Sequence, residues 1–177
     1  MLNIIIMAGG AGSRMGGVEK PLLKICGERI LDRIISASLP LGEVTVAVTP
    51  ARMNTGLRAL ENGARAIVAP GYGYSIDLEY AVSKTGLPAL ILPGDLPLVT
   101  TASLEWTLSL LSTPNKDITT LLVKEGCLPG KRGPLGVSLV RGPDWSSYSS
   151  VEACPGWDLY DVDTWLDVFR VEERCVE

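Results

Sequence analysis

A glycine-rich loop directly behind a short apolar run is the feature that most constrains this chain. Residues 6–22 read IMAGGAGSRMGGVEKPL and contain five glycines, with Arg14 and Lys20 among them. Because glycine has no side chain, the backbone of such a loop can close around a phosphate, and its N–H groups can wrap an anion. The loop therefore predicts an anion-binding site with cations beside it. The alternative is a tight glycine turn whose cations are solvated.

Two other kinds of glycine loop fit this segment badly. A Walker A loop needs glycine followed by lysine and a hydroxyl residue, and the sequence has no such triplet. A dinucleotide fingerprint that starts at Gly10 would place its third glycine at Met15, and the second predicted strand ends at Thr49 and Pro50 rather than at an acidic residue. The spacing therefore disfavours a Walker A site and an NAD-dependent oxidoreductase.

Short runs rich in Val, Ile and Leu alternate with helix-like segments, which predicts an α/β fold. The apolar strands are continuous, so we expect a mostly parallel central sheet with helices on both faces. Length and the lack of a linker predict one domain, residues 1–177. Strands are predicted at 2–8, 43–49, 64–69, 88–95, 117–125 and 136–140, and helices at 30–39, 53–63, 75–84, 101–111 and 162–173.

Three local expectations accompany this outline. Ser75 is predicted to be the N-cap of the third helix. The segment KEGCLPGKRGP, residues 124–134, is expected to be the most flexible loop. The four cysteines are widely spaced and include no CxxC pair, which favours buried or incidental thiols over a metal site or a disulfide framework; they are Cys26, Cys127, Cys154 and Cys175.

Composition excludes several functions. The formal net charge is −4, so nucleic acid is not expected as a partner. The opening run MLNIIIM is too short to cross a membrane and lacks a positive flank, which predicts a cytoplasmic protein without membrane insertion. The chain contains no histidine, which removes the usual general base at neutral pH and the commonest zinc ligand.

Ligands of such sheets bind outside the carboxyl ends of the strands. Asp95 ends a predicted strand, where a carboxylate can hold Mg²⁺ against phosphate oxygens, although an aspartate before Pro97 also suits a turn or a helix cap. Asp163 is a second metal candidate or, alternatively, the N-cap of the last helix. The segments that follow the strands are residues 9–17, 50–53, 70–74 and 93–98.

Several motifs resemble nucleotidyltransferases with a Rossmann-like, GT-A-type fold, which include the molybdenum cofactor guanylyltransferases and the sugar-nucleotide pyrophosphorylases. MAGGAGSRMGG followed by EKPL resembles their signature loop. Within that group, GGVEKPL, GYGYSIDL, GDLPL and GVSLV followed by YDVDT resemble the archaeal adenosylcobinamide-phosphate guanylyltransferases. Ser138, Asp161 and Asp163 stand where that family pattern suggests asparagine.

This resemblance implies an enzyme of cobalamin biosynthesis that transfers GMP from GTP to adenosylcobinamide phosphate and releases pyrophosphate. The implied partners are small molecules, GTP and a corrinoid phosphate, with Mg²⁺ as the metal, and a homodimer is compatible with the sequence. A phosphate monoester is already largely dianionic at neutral pH, since its second pKa is about 6, so this chemistry needs no general base. The alternatives are a molybdenum cofactor guanylyltransferase, another nucleotidyltransferase, or a nucleotide-binding subunit without catalysis.

The same resemblance assigns roles to individual residues. Arg14, Lys20 and Asp95 are implied as catalytic, and Asp95 and Asp163 as metal ligands. Asp77 can accept the two adjacent donors of guanine while Tyr74 packs on the base or the corrin, or Asp77 favours only the N-terminus of its own helix. The implied nucleotide-binding residues are Ala8, Gly9, Gly10, Gly12, Ser13, Arg14, Lys20, Gly73, Tyr74, Asp77 and Asp95.

Overall fold

The first predicted strand becomes the centre of a seven-stranded sheet in the computed structural model, which describes residues 1–175. Ile4, Ile5 and Ile6 within it are fully buried. The strands are β1 (Asn3–Met7), β2 (Lys24–Ile25), β3 (Glu28–Arg29), β4 (Glu43–Val48), β5 (Arg65–Val68), β6 (Ala89–Pro93), β7 (Ile118–Leu128), β8 (Lys131–Val140) and β9 (Tyr148–Ala153).

The order of strands in the sheet is β5-β4-β1-β6-β8-β7-β9. Strand β1 pairs in parallel with β4 on one side and with β6 on the other. Strand β4 also pairs in parallel with β5, and β7 pairs in parallel with β9. Strand β8 is antiparallel to both β6 and β7. Strands β2 and β3 form a separate small hairpin. The prediction of a mostly parallel sheet is confirmed. The carboxyl ends of β1, β4, β5 and β6 consequently meet at one edge.

Helices cover both faces of the sheet, as predicted. They are α1 (Ile30–Ser38), α2 (Met53–Glu61), α3 (Tyr74–Thr85), α4 (Thr101–Leu111) and α5 (Trp165–Glu172). Ile4 and Ile6 face a large apolar cluster that α1, α2, α4 and α5 help to form, and Ile5 faces a smaller cluster with α3, in keeping with the alternation of side chains along a strand. None of the helices within residues 1–175 is long and apolar enough to cross a membrane.

Two helix starts differ from the predictions. Helix α3 begins at Tyr74 with Gly73 as its N-cap, so Ser75 is the second residue of the helix and not its cap. Helix α5 begins at Trp165, and its N-cap Thr164 exchanges hydrogen bonds with Asp167 in a capping box. Asp163 therefore lies one residue before the cap, which excludes the N-cap alternative for it.

The far edge of the sheet also differs from the predictions. Residues 124–134, expected to be a flexible loop, form the end of β7 and the start of β8, and Leu128 pairs with Lys131 across a Pro-Gly turn. Gly130 in this turn has a φ of 74°, which glycine tolerates without strain. Strand β9 was not predicted, because its sequence YSSVEA lacks the continuous apolar character of the inner strands.

The expectation of unpaired thiols is wrong. Cys26 is joined to Cys175 and Cys127 to Cys154, with Cα–Cα distances of 5.4 Å and 5.2 Å that suit disulfides. The partners are 149 and 27 residues apart along the chain, so only the folded topology brings them together. The two disulfides fix both ends of residues 154–175, the segment that contains α5.

We expect reduction of these disulfides to lower the stability of the fold. Each removal should cost roughly 2–5 kcal/mol of the free energy of unfolding, because the unfolded chain regains the freedom of a long loop. Urea denaturation of the protein with and without reductant measures this change. Cys26→Ser/Cys175→Ser and Cys127→Ser/Cys154→Ser separate the two contributions. An unfolding midpoint that does not respond to reductant would contradict the pairing.

Candidate active site

The loop after β1 owes its shape to two of its glycines. Gly12 has a φ of 63°, and a Cβ at this position would collide with the carbonyl oxygen of Val18. A Cβ on Gly9 would lie 2.7 Å from Thr49 Cγ2 at the end of β4. A side chain at Gly12 would therefore distort the turn of the loop itself, and a side chain at Gly9 would push the loop away from the end of β4.

Arg52 fixes the loop from the neighbouring strand end. Its Nε donates to Gly10 O at 3.0 Å and its Nη1 to Gly17 O at 2.9 Å, while Nη2 donates to Ala11 O. The loop carbonyls are thereby engaged with one guanidinium. The backbone N–H groups of residues 9–12 donate to no group within residues 1–175, which leaves them available for an anion.

Glu19 fastens the far end of the loop to α2. Its carboxylate accepts hydrogen bonds from Thr55 N at 2.9 Å, Thr55 Oγ1 at 2.6 Å and Asn54 Nδ2 at 3.1 Å. Burial alone would raise the pKa of Glu19, but these hydrogen bonds outweigh it and hold the pKa below its ordinary value. Glu19 therefore stays ionised at the N-terminal end of α2, where a negative charge is favourable.

Lys20 brings together two of the predicted acidic residues. Its Nζ lies 2.6 Å from Asp95 Oδ2 and 3.3 Å from Asp163 Oδ1, and it also donates to Val162 O at 2.9 Å. Burial disfavours the ammonium, but the attraction of Asp95 and Asp163 outweighs it and raises the pKa of Lys20. Lys20 is therefore charged at neutral pH.

Asp95 lies just past the end of β6, and both its backbone carbonyl and its side chain accept hydrogen bonds. Its backbone carbonyl accepts from Val162 N at 3.0 Å, and its Oδ2 accepts from Lys20. Burial raises the pKa of Asp95, while the attraction of Lys20 opposes the rise. Its second oxygen, Oδ1, is buried and receives no hydrogen bond from residues 1–175.

A second lysine, Lys131, occupies the centre of an acidic cluster. Its Nζ lies 3.2 Å from Asp161 Oδ1, 3.3 Å from Asp163 Oδ2 and 3.5 Å from Asp167 Oδ2. Burial would raise the pKa of Asp163, but Lys131 and Lys20 outweigh it and lower that pKa. Burial dominates at Asp161, against the attraction of Lys131, and raises its pKa to about 6.

Of the remaining predicted nucleotide-binding residues, Arg14 and Ala8 lie close to Lys20. Ser13 and Arg14 are in an exposed 3-10 turn at residues 13–15, and Arg14 Nη1 is 4.0 Å from Asp163 Oδ1. The buried Met15 anchors this turn. Ala8 is buried and lines a small recess of about 100 Å³ with Lys20, Gly10 and Asp95.

A cleft of about 280 Å³ opens beside the glycine loop, lined by Gly9, Gly10, Gly73, Tyr74 and Asp77 among others. The structure therefore brings these five predicted residues to one place. Asp77 Oδ1 accepts a hydrogen bond from Gly71 N at 2.7 Å. This contact orders the loop between β5 and α3, a role that differs from simple support of the start of α3.

A second cleft of about 280 Å³ lies on the other side of Tyr74. Trp145 and Tyr148 line it and are both partly exposed. Ser138 Oγ and Thr120 Oγ1 are 2.8 Å apart in its lining and share a hydrogen bond. Ser138 thus faces a cavity with an aromatic rim, next to the cleft that contains Asp77.

The carboxylates of Asp95 and Asp163 are the candidate ligands for Mg²⁺ in this site. Within residues 1–175, no group of three or more His, Cys, Asp or Glu side chains is arranged to hold a metal ion. Protein-bound Mg²⁺ needs only one or two carboxylates when phosphate oxygens and water complete its coordination. Asp95 Oδ1, buried and unpaired within residues 1–175, and the carboxylate of Asp163 are donors of the type that Mg²⁺ prefers, so the residues fit a metal that binds with a nucleotide.

Residues 4–141 match the MobA-like NTP transferase domain, and this stretch is most of the chain. The chain belongs to this family. The glycine loop, Lys20, Arg52, Asp77 and Asp95 all lie inside the matched residues, whereas Asp161 and Asp163 lie beyond them.

Two relatives of this MobA-like NTP transferase have named activities. It is 34% identical to the adenosylcobinamide-phosphate guanylyltransferase of Methanocaldococcus jannaschii over 103 residues, which are 54% of this chain and 52% of the relative. It is 37% identical to the molybdenum cofactor guanylyltransferase of Acidiphilium cryptum over 100 residues, 54% of this chain and 51% of the relative. The chain thus spans about half the length of the curated relatives it matches.

The fold of this MobA-like NTP transferase is shared with a solved structure. Molybdopterin-guanine dinucleotide biosynthesis protein A from Archaeoglobus fulgidus superposes with a TM-score of 0.72 over 98% of each chain, at 16% sequence identity. The predicted Rossmann-like nucleotidyltransferase fold is confirmed.

Three residues of the site were not predicted from the sequence: Glu19, Arg52 and Lys131. Arg52 lies in residues 50–53, directly after a predicted strand, and this position at the carboxyl end of the strand is a signal for a site residue. Lys131 lies in a segment predicted to be a loop, so nothing in the local sequence marks it as a partner of distant carboxylates.

We expect Arg52→Ala to weaken nucleotide binding while the fold persists. The loop carbonyls would lose their partner and turn toward the phosphates, and the loss of these contacts should weaken binding by roughly 10- to 100-fold. Calorimetric titration with GTP measures this. Arg65→Ala is the matched control, since Arg65 is exposed and its nearest acid, Glu43, is 3.9 Å away. Native affinity in Arg52→Ala would contradict the role of Arg52.

Proposed function

We propose that this protein is a guanylyltransferase that transfers GMP from GTP to adenosylcobinamide phosphate and releases pyrophosphate. The observation that carries the proposal is the position of Lys20 and Asp95 beside loop N–H groups that have no partner within residues 1–175. The relative from Methanocaldococcus jannaschii supports the choice of acceptor. The reaction belongs in the cytoplasm, where GTP is available.

The site supplies positive charge and backbone donors where a triphosphate needs them. The N–H groups of residues 9–12 bind phosphate oxygens, and Arg14 and Lys20 neutralise the charge that accumulates on the leaving pyrophosphate. Arg14 is well suited to reach a bound ligand, because its side chain is 73% exposed. Arg52 and Glu19 keep the loop in shape without touching the ligand.

The transfer requires alignment rather than proton removal. An oxygen of the acceptor phosphate attacks the α-phosphorus of GTP, the bond from that phosphorus to the bridging oxygen breaks, and pyrophosphate leaves with the electron pair. Because the acceptor is already ionised at neutral pH, no side chain has to take a proton from it. The absence of histidine from the sequence agrees with this chemistry.

Asp95 and Asp163 would hold Mg²⁺ together with the phosphates. When bound, the metal neutralises phosphate oxygens and orients the triphosphate. Asp95 is the principal candidate because its Oδ1 is buried and lacks a partner within residues 1–175. Asp163 is the second, because Lys20 joins it to Asp95.

Base and acceptor are assigned to the two clefts on either side of Tyr74. In the cleft beside the glycine loop, Asp77 accepts the N1–H and 2-amino donors of guanine, alongside its hydrogen bond from Gly71 N. In the second cleft, Trp145 and Tyr148 provide apolar surface for the ring system of the acceptor. Tyr74 lines both clefts and packs between the two substrates.

A second candidate function is transfer of GMP to the molybdenum cofactor. The relative from Acidiphilium cryptum favours it, at 37% identity over a similar share of the chain. The same phosphate contacts would serve both reactions, since only the acceptor differs. A nucleotide-binding subunit without catalysis is disfavoured by the joint presence of Arg14, Lys20 and Asp95 in one site.

Pyrophosphate release with defined substrates tests the proposal. We expect turnover with GTP, Mg²⁺ and adenosylcobinamide phosphate, and much weaker turnover with ATP, CTP or UTP. Reactions with molybdopterin as the acceptor test the second candidate, and reactions without an acceptor measure hydrolysis. Turnover only with molybdopterin would replace the corrinoid proposal. Nucleotide binding without turnover on either acceptor would contradict both transfer reactions.

We expect unequal effects from neutralising the two proposed metal ligands. Asp95→Asn should lower kcat by about 100-fold or more, because a buried carboxylate that holds Mg²⁺ is lost. Asp163→Asn should lower it much less, since an amide oxygen can still accept from Lys20. Steady-state kinetics measures both variants, and GTP binding without metal should hardly change in Asp95→Asn. Equal, mild losses would mean that neither residue is a principal ligand.

A further inference from the structure

Lys131, the first residue of β8, is surrounded by three carboxylates. Its Nζ is within 3.5 Å of Asp161, Asp163 and Asp167. Only 10% of its side chain is exposed, and the ammonium lies 5.0 Å from the centre of the Tyr160 ring. These contacts therefore fix the position of the Lys131 ammonium.

Asp163 is held by different lysines at its two oxygens. Oδ1 faces Lys20 at 3.3 Å and Oδ2 faces Lys131 at 3.3 Å. The backbone N–H of Asp163 also donates to Asp167 Oδ2 at 3.1 Å, and Asp167 in turn accepts from Tyr160 Oη at 2.7 Å. The orientation of Asp163 is thus set by a network centred on Lys131 as well as by Lys20.

We propose that Lys131 is a positioning residue for the nucleotidyl transfer, which keeps Asp163 in place when Lys20 binds the triphosphate. The inference rests on the proposed function, in which the loop, Lys20 and Asp163 meet the phosphates. Lys131 acts through Asp163 and does not touch the nucleotide.

The reason is a competition for the ammonium of Lys20. In the free protein this group bonds to Asp95, Asp163 and Val162 O, so a phosphate oxygen can bind it only if one of these contacts weakens. Arg14, 4.0 Å from Asp163 Oδ1, is drawn to the phosphates as well in the proposed function. Without a further cation, Asp163 would then be repelled by the mostly buried carboxylates of Asp95 and Asp161. Lys131 supplies that cation from the opposite side.

Lys131→Met tests this role directly. We expect kcat to fall by roughly 10- to 100-fold while the KM for GTP stays within about threefold, because positioning acts on the transition state more than on binding. Lys131→Arg keeps the positive charge but carries it on a larger, planar group. We expect a kcat between those of the wild-type protein and Lys131→Met. Arg132→Met is the matched control: Arg132 is the next residue in β8, is exposed, and forms no ion pair with any of residues 1–175.

A double-mutant cycle separates positioning from simple stability. In the Asp163→Asn variant, residue 163 has no negative charge for Lys131 to hold in place. Lys131→Met should therefore lower kcat by less than about threefold in that background. If Lys131→Met lowers kcat by the same factor in the wild-type protein and in the Asp163→Asn variant, the proposal is overturned. A native kcat in Lys131→Met or, if that variant does not fold, in Lys131→Arg would also overturn it.

A crystal structure of ligand-free Lys131→Met gives a readout that does not depend on activity. We expect the Asp163 carboxylate to leave its present position and turn toward Lys20. An unmoved carboxylate would overturn the inference. Wild-type protein that fails to turn over every nucleotide and acceptor would instead contradict the proposed function, while the structure of the variant would still decide the role of Lys131.

Discussion

The ammonium of Lys20 joins parts of the chain that are far apart in sequence. It comes from the end of the glycine loop and bonds to Asp95 after β6 and to Val162 O and Asp163 ahead of α5. Burying Asp95 without a cation would be costly, because a carboxylate loses its water and gains nothing in return. The lysine offsets this cost at the edge of the sheet where the strands of the parallel half end. The geometry of the candidate site depends on this contact.

The shape of the glycine loop depends on residues outside it and at its end. Glycine permits the conformation but does not select it, since a flexible backbone has many alternatives. Arg52 selects one of them by binding the carbonyls of Gly10, Ala11 and Gly17, and Glu19 fixes the exit of the loop to α2. The guanidinium of Arg52, just past the end of β4, therefore determines which backbone groups of the neighbouring glycine loop can face a ligand.

Local sequence patterns predicted the strands of the parallel half, the five helices and the loop, because apolar periodicity and glycine spacing are local properties. The contacts of Lys131 were not predictable in this way. Its carboxylate partners lie 30 to 36 residues further along the chain and meet it only after β7 and β8 pair. The disulfides are a similar case, since a span of 149 residues carries no local signal. Disulfides are rare in the cytosol of mesophiles but common inside hyperthermophiles, so they do not by themselves contradict the proposed cytoplasmic location.

The contacts of Lys20 in the free protein have a consequence for selectivity. All three of its N–H donors are used, at 2.6, 2.9 and 3.3 Å from their acceptors, so a ligand must replace protein contacts rather than fill an empty position. A ligand with a single weak charge gains too little to do so. A triphosphate brings several negative oxygens, and the metal ion of the proposed function would neutralise the carboxylates that Lys20 leaves. The ion pairs of the free site therefore favour a ligand that carries both kinds of charge at once, which is what a metal-bound nucleotide provides.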